Sequence, residues 1–188
     1  MIKIGITGSL ASGKTTASKI LSNKRGPLFS ADTAVMELYR NKVFKKLISK
    51  KFGVKNNNLI KKYLKNKILG DKSNLKKLEK IIHPLVRKKM REFTLRNKNK
   101  KFLFYEIPLL IESRLMKSFN VIIFIKSNKM KRLKRFKAKK GDKKLFNLLN
   151  DKQIGDKKKI KFCHHVVVNE KNLNILKKNL LSIISKYE

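Results

Sequence analysis

The sequence is poor in cysteine, tryptophan, acidic side chains and long apolar runs. Cys163 is the single cysteine in 188 residues, so no internal disulfide forms, which suits a reducing cytoplasm. No apolar run reaches the ~20 residues that a bilayer crossing needs. The first residues enter a strand pattern directly, without the segments of a signal peptide. These gaps predict a cytoplasmic protein with no membrane partner. Aromatic residues make up 8% and include no tryptophan, too sparse an interleaving for the platforms on which nucleic-acid bases stack. Acidic residues number 12 against 50 Lys and Arg, a formal net charge of +38.

That charge raises one class of function, a nucleic-acid-binding protein, whose binding would fall steeply with salt and ignore ATP. The excess is mostly Lys, is spread along the whole chain, and accompanies abundant Asn and Ile. Those three residues share A/T-rich codons, so genome composition accounts for the excess without a ligand. The charge reads mainly as a solvated lysine coat, a local share of it serving anionic substrates, with no specific nucleic-acid partner. The apolar share of 41% is ordinary for a globular protein. The length suits one domain with a real core, expected as a monomer or weak homo-oligomer.

What is present begins at residues 5–16, GITGSLASGKTT, directly after the apolar opening MIKI. Gly8 and Gly13 bracket four residues, and Lys14 and Thr15 complete G-x-x-x-x-G-K-[ST]. Phosphates need several backbone N–H groups aimed at one point, and glycine lets the backbone turn tightly and approach closely. A helix starting near Gly13 adds its unpaired N–H groups and the positive end of its dipole. Lys14 then reaches the β- and γ-phosphates, and the Thr15 hydroxyl ligates Mg²⁺. A chance Gly-Ser turn is the alternative, and its surroundings speak against it. KIGIT reads as a short buried strand, and KTTASKILSN as a helix with Ala17, Ile20 and Leu21 on one side. Strand, glycine loop and helix is the order that a phosphate cradle requires.

Five short apolar runs have strand character, at residues 2–7, 27–30, 102–107, 121–125 and 165–168. Most are near-continuous, as in parallel strands covered on both faces. Helical segments lie between them, the pattern of a doubly wound α/β sheet. Residues 36–99 read as Lys-coated helices with turns at FGVKNNN and LGDKSN. They form a helical insertion between the second and third strands. A second basic stretch, NKMKRLKRFKAKKGDKK at 128–144, places Met130, Leu133, Phe136 and the stem of Lys137 on one helical face.

The second run ends in SADTAV. Asp32 therefore falls just past the carboxyl end of the second strand, taken to lie beside the first, at the edge where open α/β sheets bind ligands. A carboxylate there accepts the proton of an attacking hydroxyl or holds Mg²⁺ through water; alternatively it caps the helix TAVMELY. In YEIPLLIES, Glu106 ends the third strand, where it serves Mg²⁺ or the substrate, while Glu112 caps or pairs with lysines. IIHPLVRKKM starts a helix at His83-Pro84, proline being tolerated in a first turn. His83 then reads as a capping group, and Arg87, one turn on, meets a phosphate or faces water. Arg132, Arg135 and Lys139 stand three and four apart on one helix. Phosphoryl transfer needs such cations over the transferring group, often delivered by a closing lid.

Together these pieces resemble the dephospho-CoA kinase family. The likeness rests on GITGSLASGKTT, SAD after the second strand, and NLIKKYLKNKILGD followed by LEKIIHPLVR. It continues through PLLIES, the arginine-bearing segment and KQIGDKKK, in matching order over essentially the whole chain. The His-Pro-Leu and Pro-Leu-Leu-x-Glu elements separate this family from adenylate, shikimate and other small kinases. The resemblance implies a three-layer P-loop kinase fold with a parallel five-stranded sheet. Its core would be residues about 1–35, 100–127 and 145–188, with a helical CoA-binding region over about 36–99 and a helical lid over about 128–144. It implies transfer of the γ-phosphate of ATP, with Mg²⁺, to the 3′-hydroxyl of dephospho-CoA, the last step of coenzyme A synthesis.

Site residues follow from the same resemblance. Ala11, Ser12, Gly13, Lys14, Thr15 and Thr16 would hold the ATP phosphates, with Thr15 on the metal. Asp32 would be the base. His83 and Arg87, with Lys61 or Lys62, would lie along the CoA-substrate side. Arg135 best matches the lid arginine, and Gln153 and Lys159 match a spacing near the nucleotide. Several positions depart from the family. Ser9 and Ala11 stand where many members have Gly, and Ser30 replaces the first Asp of Asp-x-Asp. Lys139 replaces a common second lid Arg, and Asn169-Glu170 replaces Asn-Gly. The missing acid at Ser30 bears on Mg²⁺ or substrate geometry, whereas Asp32 as base survives it. A P-loop kinase acting on a nucleoside monophosphate is the neighbouring alternative, separated by which acceptor is phosphorylated.

Overall fold

The five apolar runs are strands in the computed structural model, which describes residues 1–54, 59–71 and 73–188. They are β1 (Ile2–Gly8), β2 (Leu28–Ser30), β3 (Phe102–Glu106), β4 (Val121–Lys126) and β5 (His165–Val168). All pair in parallel, in the order β2-β3-β1-β4-β5. Two compact units result, one of Met1–Ser30 with Thr94–Glu188 and one of Ala31–Phe93.

The first unit holds the sheet, with α1 (Lys14–Ser22), α6 (Lys129–Ala138), α7 (Lys143–Asp151), α8 (Asp156–Ile160) and α9 (Leu173–Ile184). β1 is central, its Ile6 in register with Glu106 of β3 and Ile123 of β4. The expectation that β2 lies beside β1 is corrected: β3 stands between them. Burial explains the order, because β3 is buried at all five positions, as an interior strand must be, whereas β2 offers only three residues. β5 ends the sheet and is covered on one face. Val167 is buried there, and Val166 and Val168 are exposed.

Alternate strand residues sort to opposite faces. Ile4, Ile6, Phe104 and Ile123 pack with Ala17 and Leu21 of α1 and with Leu176 and Leu180 of α9. Each such large side chain contributes roughly 1.5–3 kcal/mol. On the other face Leu110 and Phe119 press onto β1 so closely that a Cβ on Gly5 would stand 2.7 Å from Leu110 Cδ1. Helices on one face and the 107–119 segment on the other complete the layered α/β arrangement.

The second unit contains α2 (Ala31–Leu38), α3 (Lys42–Phe52), α4 (Ile60–Gly70) and most of α5 (Ser73–Arg96). Phe44, Ile48 and Phe52 of α3, Ile60, Leu64 and Ile68 of α4, and Leu78 and Ile82 of α5 are buried at every fourth residue. Apolar stripes of this kind leave the intervening lysines in water. Asn41 caps α3 by accepting from Phe44 N at 3.0 Å, and Gly53 ends it with φ of 67°. The expected turns at FGVKNNN and LGDKSN fall partly on residues 55–58 and 72, outside the described residues. Among the described residues of 36–99 there is no strand, and no described helix is long and apolar enough to cross a membrane.

α5 overturns one expectation. It begins at Ser73, so His83-Pro84 lies in mid-helix and not in a first turn, and His83 is not a cap. Pro84 removes one N–H from the helical ladder. Its exposed position leaves the freed carbonyl open to water, and the helix continues.

Candidate active site

At the carboxyl end of β1 the chain turns through the glycine loop into α1. Gly8 has φ of 151° and Gly13 of 101°, and a Cβ would stand 2.4 Å from Ile125 O at Gly8 and 2.1 Å from Asn169 Nδ2 at Gly13. Only glycine fits either position. Ala11 also has a positive φ, 58°, a conformation that an L side chain adopts at a cost of about 1 kcal/mol. Ala11→Gly removes that strain but enlarges the unfolded ensemble. The expected result is a gain of up to about 1 kcal/mol, read from urea unfolding, with turnover retained; a clear loss of stability would contradict it.

Lys14 opens α1 with its side chain folded back and buried. Nζ donates to Gly8 O at 3.1 Å and Ser9 O at 2.9 Å. Thr15 and Thr16 are exposed. Thr15 Oγ1 donates to Glu106 Oε1 at 2.6 Å, and Ser18 Oγ donates to Glu106 Oε2 at 3.4 Å. Glu106, 1% exposed, thus faces the first turn of α1. With its hydroxyl proton engaged by Glu106, Thr15 Oγ1 keeps lone pairs for a hard cation such as Mg²⁺. Ser12 Oγ is buried and has no hydrogen-bond partner among the described residues.

The three helix cations separate clearly. Arg132 is buried, with Nε donating to Ser127 O at 3.1 Å and Nη1 to Leu10 O at 3.2 Å and Asn150 Oδ1 at 2.8 Å. Its guanidinium also covers the Phe146 ring at 5.7 Å. Burial works against its charge, and nearby Asp156 supports it. Arg135 donates to Ser12 O at 3.2 Å, Ser127 Oγ at 3.3 Å and Asn169 O at 3.0 Å. Lys139 is exposed at the end of α6. Arg135 therefore lies on the loop, while Arg132 is taken up in packing α6 and α7 against it. Met130, expected on the apolar face of that helix, is 77% exposed; Arg132 and Phe136 make the contacts with Phe146.

Polar side chains beyond the helix cations also grip the loop, among them Gln153, which the family spacing places near the nucleotide. Asn169 Nδ2 donates to Ser12 O at 2.9 Å, Gln153 Oε1 accepts from Leu10 N at 3.0 Å, and Ser9 Oγ bonds Asp156 Oδ1. Glu170 Oε1 accepts from Asn128 N at 2.9 Å at the start of α6. Asn169-Glu170 was visible only as a departure from Asn-Gly, and a lone Asp156 among lysines carried no signal. Cys163, beside Lys159 O, has its thiol pushed up to about 11 by burial, which makes it a poor nucleophile at neutral pH.

In the second unit, Asp32 is exposed and is the second residue of α2, inside the first turn and not at its cap. Lys61 and Lys62 are exposed on α4, and Lys61 Nζ lies 5.3 Å from the Tyr39 ring centroid. His83 is half-buried and Arg87 exposed, one turn apart on the same face of α5. The structure thus gathers Lys14, Thr15, Glu106, Arg135 and Gln153 in the first unit, and carries Asp32, Lys61, His83 and Arg87 in the second.

A phosphate loop on a parallel sheet fits many kinases, and comparison with known proteins narrows the choice. The family model for dephospho-CoA kinase matches residues 2–174. The chain belongs to the dephospho-CoA kinase family. A dephospho-CoA kinase of Bartonella quintana is 36% identical over 186 residues, covering 96% of this chain and 95% of that one. A solved dephospho-CoA kinase from Campylobacter jejuni superposes with a TM-score of 0.68 at 28% identity, covering 98% of this chain and 96% of its own. A crystal structure from Thermus thermophilus reaches 0.78 at 27% identity, over 98% and 97%. The sheet and loop are those of the P-loop kinases. Dephospho-CoA kinases phosphorylate dephospho-CoA to coenzyme A with ATP, and that is the activity of this family.

Proposed function

We propose that the chain transfers the γ-phosphoryl group of ATP to the 3′-hydroxyl of dephospho-CoA, with the following division of labour. The glycine loop, from Ala11 through Ser12, Gly13, Lys14 and Thr15 to Thr16, holds the triphosphate, and Lys14 neutralises charge on the transferring group. Thr15, oriented by Glu106, holds Mg²⁺, which when bound offsets phosphate charge. Of the two roles expected for Glu106, metal or substrate, this reading takes the metal. Arg135 supplies the second cation at the loop. Asp32 accepts the proton of the attacking hydroxyl. Lys61, His83 and Arg87 bind dephospho-CoA, which makes Ala31–Phe93 the acceptor-binding part, and α6 with the start of α7 serves as the lid.

What supports this reading most is the pairing of Thr15 with buried Glu106 directly behind the glycine loop. It fixes a hydroxyl where a phosphate-bound cation is held in P-loop enzymes. The protein acts in the cytoplasm as a monomer or weak homo-oligomer, and its lysine coat has no specific nucleic-acid partner.

The test is ADP release with ATP and Mg²⁺ over a panel of acceptors. Turnover is expected with dephospho-CoA and not with nucleoside monophosphates. Duplex DNA at physiological salt should leave the rate unchanged. Faster phosphorylation of a monophosphate would favour the neighbouring kinase class.

A further inference from the structure

Lys159 is 0% exposed, and its Nζ stands 2.6 Å from Glu112 Oε1. The two meet as an ion pair off the line of a hydrogen bond, and Glu112 Oε2 has no partner among the described residues. Removing one member of such a pair leaves a buried charge uncompensated. Glu112 Oε1 also accepts from Ile154 N at 3.2 Å. One carboxylate on the segment after β3 therefore holds both ends of residues 154–159. Two side chains from that stretch and its neighbour reach the phosphate loop: Gln153 accepts from Leu10 N, and Asp156 bonds Ser9 Oγ. The second contact exists because this chain has Ser where glycine would offer no hydroxyl. Lys159, with no exposed surface, has none to offer a nucleotide.

We propose that Glu112 and Lys159 are positioning residues for ATP: they act through Gln153 and Asp156 to fix Ser9 and Leu10, and touch neither substrate. The inference rests on the reading of the glycine loop as the ATP site. It assigns Lys159 a place behind the loop and not beside the nucleotide.

ATP and dephospho-CoA binding by calorimetry, with thermal unfolding alongside, tests it on the full chain. The double variant Glu112→Gln/Lys159→Met removes both charges of the pair together, leaving neither uncompensated, and should unfold cooperatively. Its Kd for ATP should rise about tenfold, the size of a misplaced backbone donor, while its Kd for dephospho-CoA stays within about twofold. Gln153→Ala, which leaves the buried pair intact, should weaken ATP in the same direction. Added to the double variant it should bring little more, because both act on one contact. A folded double variant with wild-type ATP affinity overturns the proposal, as does full additivity with Gln153→Ala. If the double variant does not fold, wild-type ATP affinity in Gln153→Ala and Asp156→Asn overturns it. Absence of ATP binding in the unaltered protein would instead overturn the reading of the loop.

Discussion

Lys14→Ala should abolish measurable turnover in a protein that remains folded. Lys14 Nζ lies 3.1 Å from Gly8 O and 2.9 Å from Ser9 O, so the ammonium is held inside the loop that cradles phosphate. In the proposed reading the same cation exchanges those carbonyls for phosphate oxygens when nucleotide binds. Cations aimed at a transferring phosphoryl group contribute on the order of 10³–10⁵ in rate, because their charge meets charge that spreads in the transition state. Loss of the side chain frees two carbonyls but also relieves the burial of a charge. The expected stability change is therefore modest, about 1–2 kcal/mol. Single-turnover phosphorylation and circular dichroism on the same sample separate the two effects. A folded Lys14→Ala protein with near-normal rate would contradict the assignment of the loop.

Asp32→Asn is expected to lower kcat by about 10²–10⁴, the usual contribution of a positioned general base, or roughly 3–5 kcal/mol of barrier. The sequence makes this sharp, since Ser30 leaves no acid two residues upstream. Asparagine keeps the size and most hydrogen bonding of the carboxylate and removes its basicity. ATP affinity should stay nearly unchanged, as the cradle is intact. Asp32 sits in the first turn of α2, where a negative charge also favours the helix, so a stability loss of about 0.3–1 kcal/mol is expected as well. If ATP affinity falls together with kcat, Asp32 serves the metal. If only the small stability loss appears, it serves the helix alone.

The sequence made the sheet legible because its strands are short apolar runs with little else in common with the lysine-rich remainder. VIIFI and FLFYE could hardly be placed anywhere but inside. The order of the strands was harder, since nothing local in PLFS says that its neighbour is β3 and not β1; that is decided by which strand has residues to bury on both faces. Proline misled at His83-Pro84, where a residue that breaks many helices is accommodated on the exposed side of a long one. The phosphate loop was readable because its spacing is itself the geometry. Glu106 was found at the right strand end, but its partner Thr15 lies 91 residues away, a contact that no periodicity encodes. The grip of Asn169 and Asp156 on the loop was hidden for the same reason, whereas Gln153 was expected near the nucleotide from the family spacing alone. Arg132 and Arg135 show the limit of spacing most plainly. They are three residues apart on α6, yet one is sealed into the packing of two helices and the other lies against Ser12 and Asn169.

The central claim is transfer to one particular hydroxyl, and phosphorus NMR of the product formed from ATP and dephospho-CoA tests it most directly, run beside a dephospho-CoA analogue lacking the 3′-hydroxyl. The account predicts a new monoester resonance assigned to the ribose 3′ position, one ADP per product, and no phosphorylation of the analogue. A monoester at another position, or equal phosphorylation of the analogue, would contradict it.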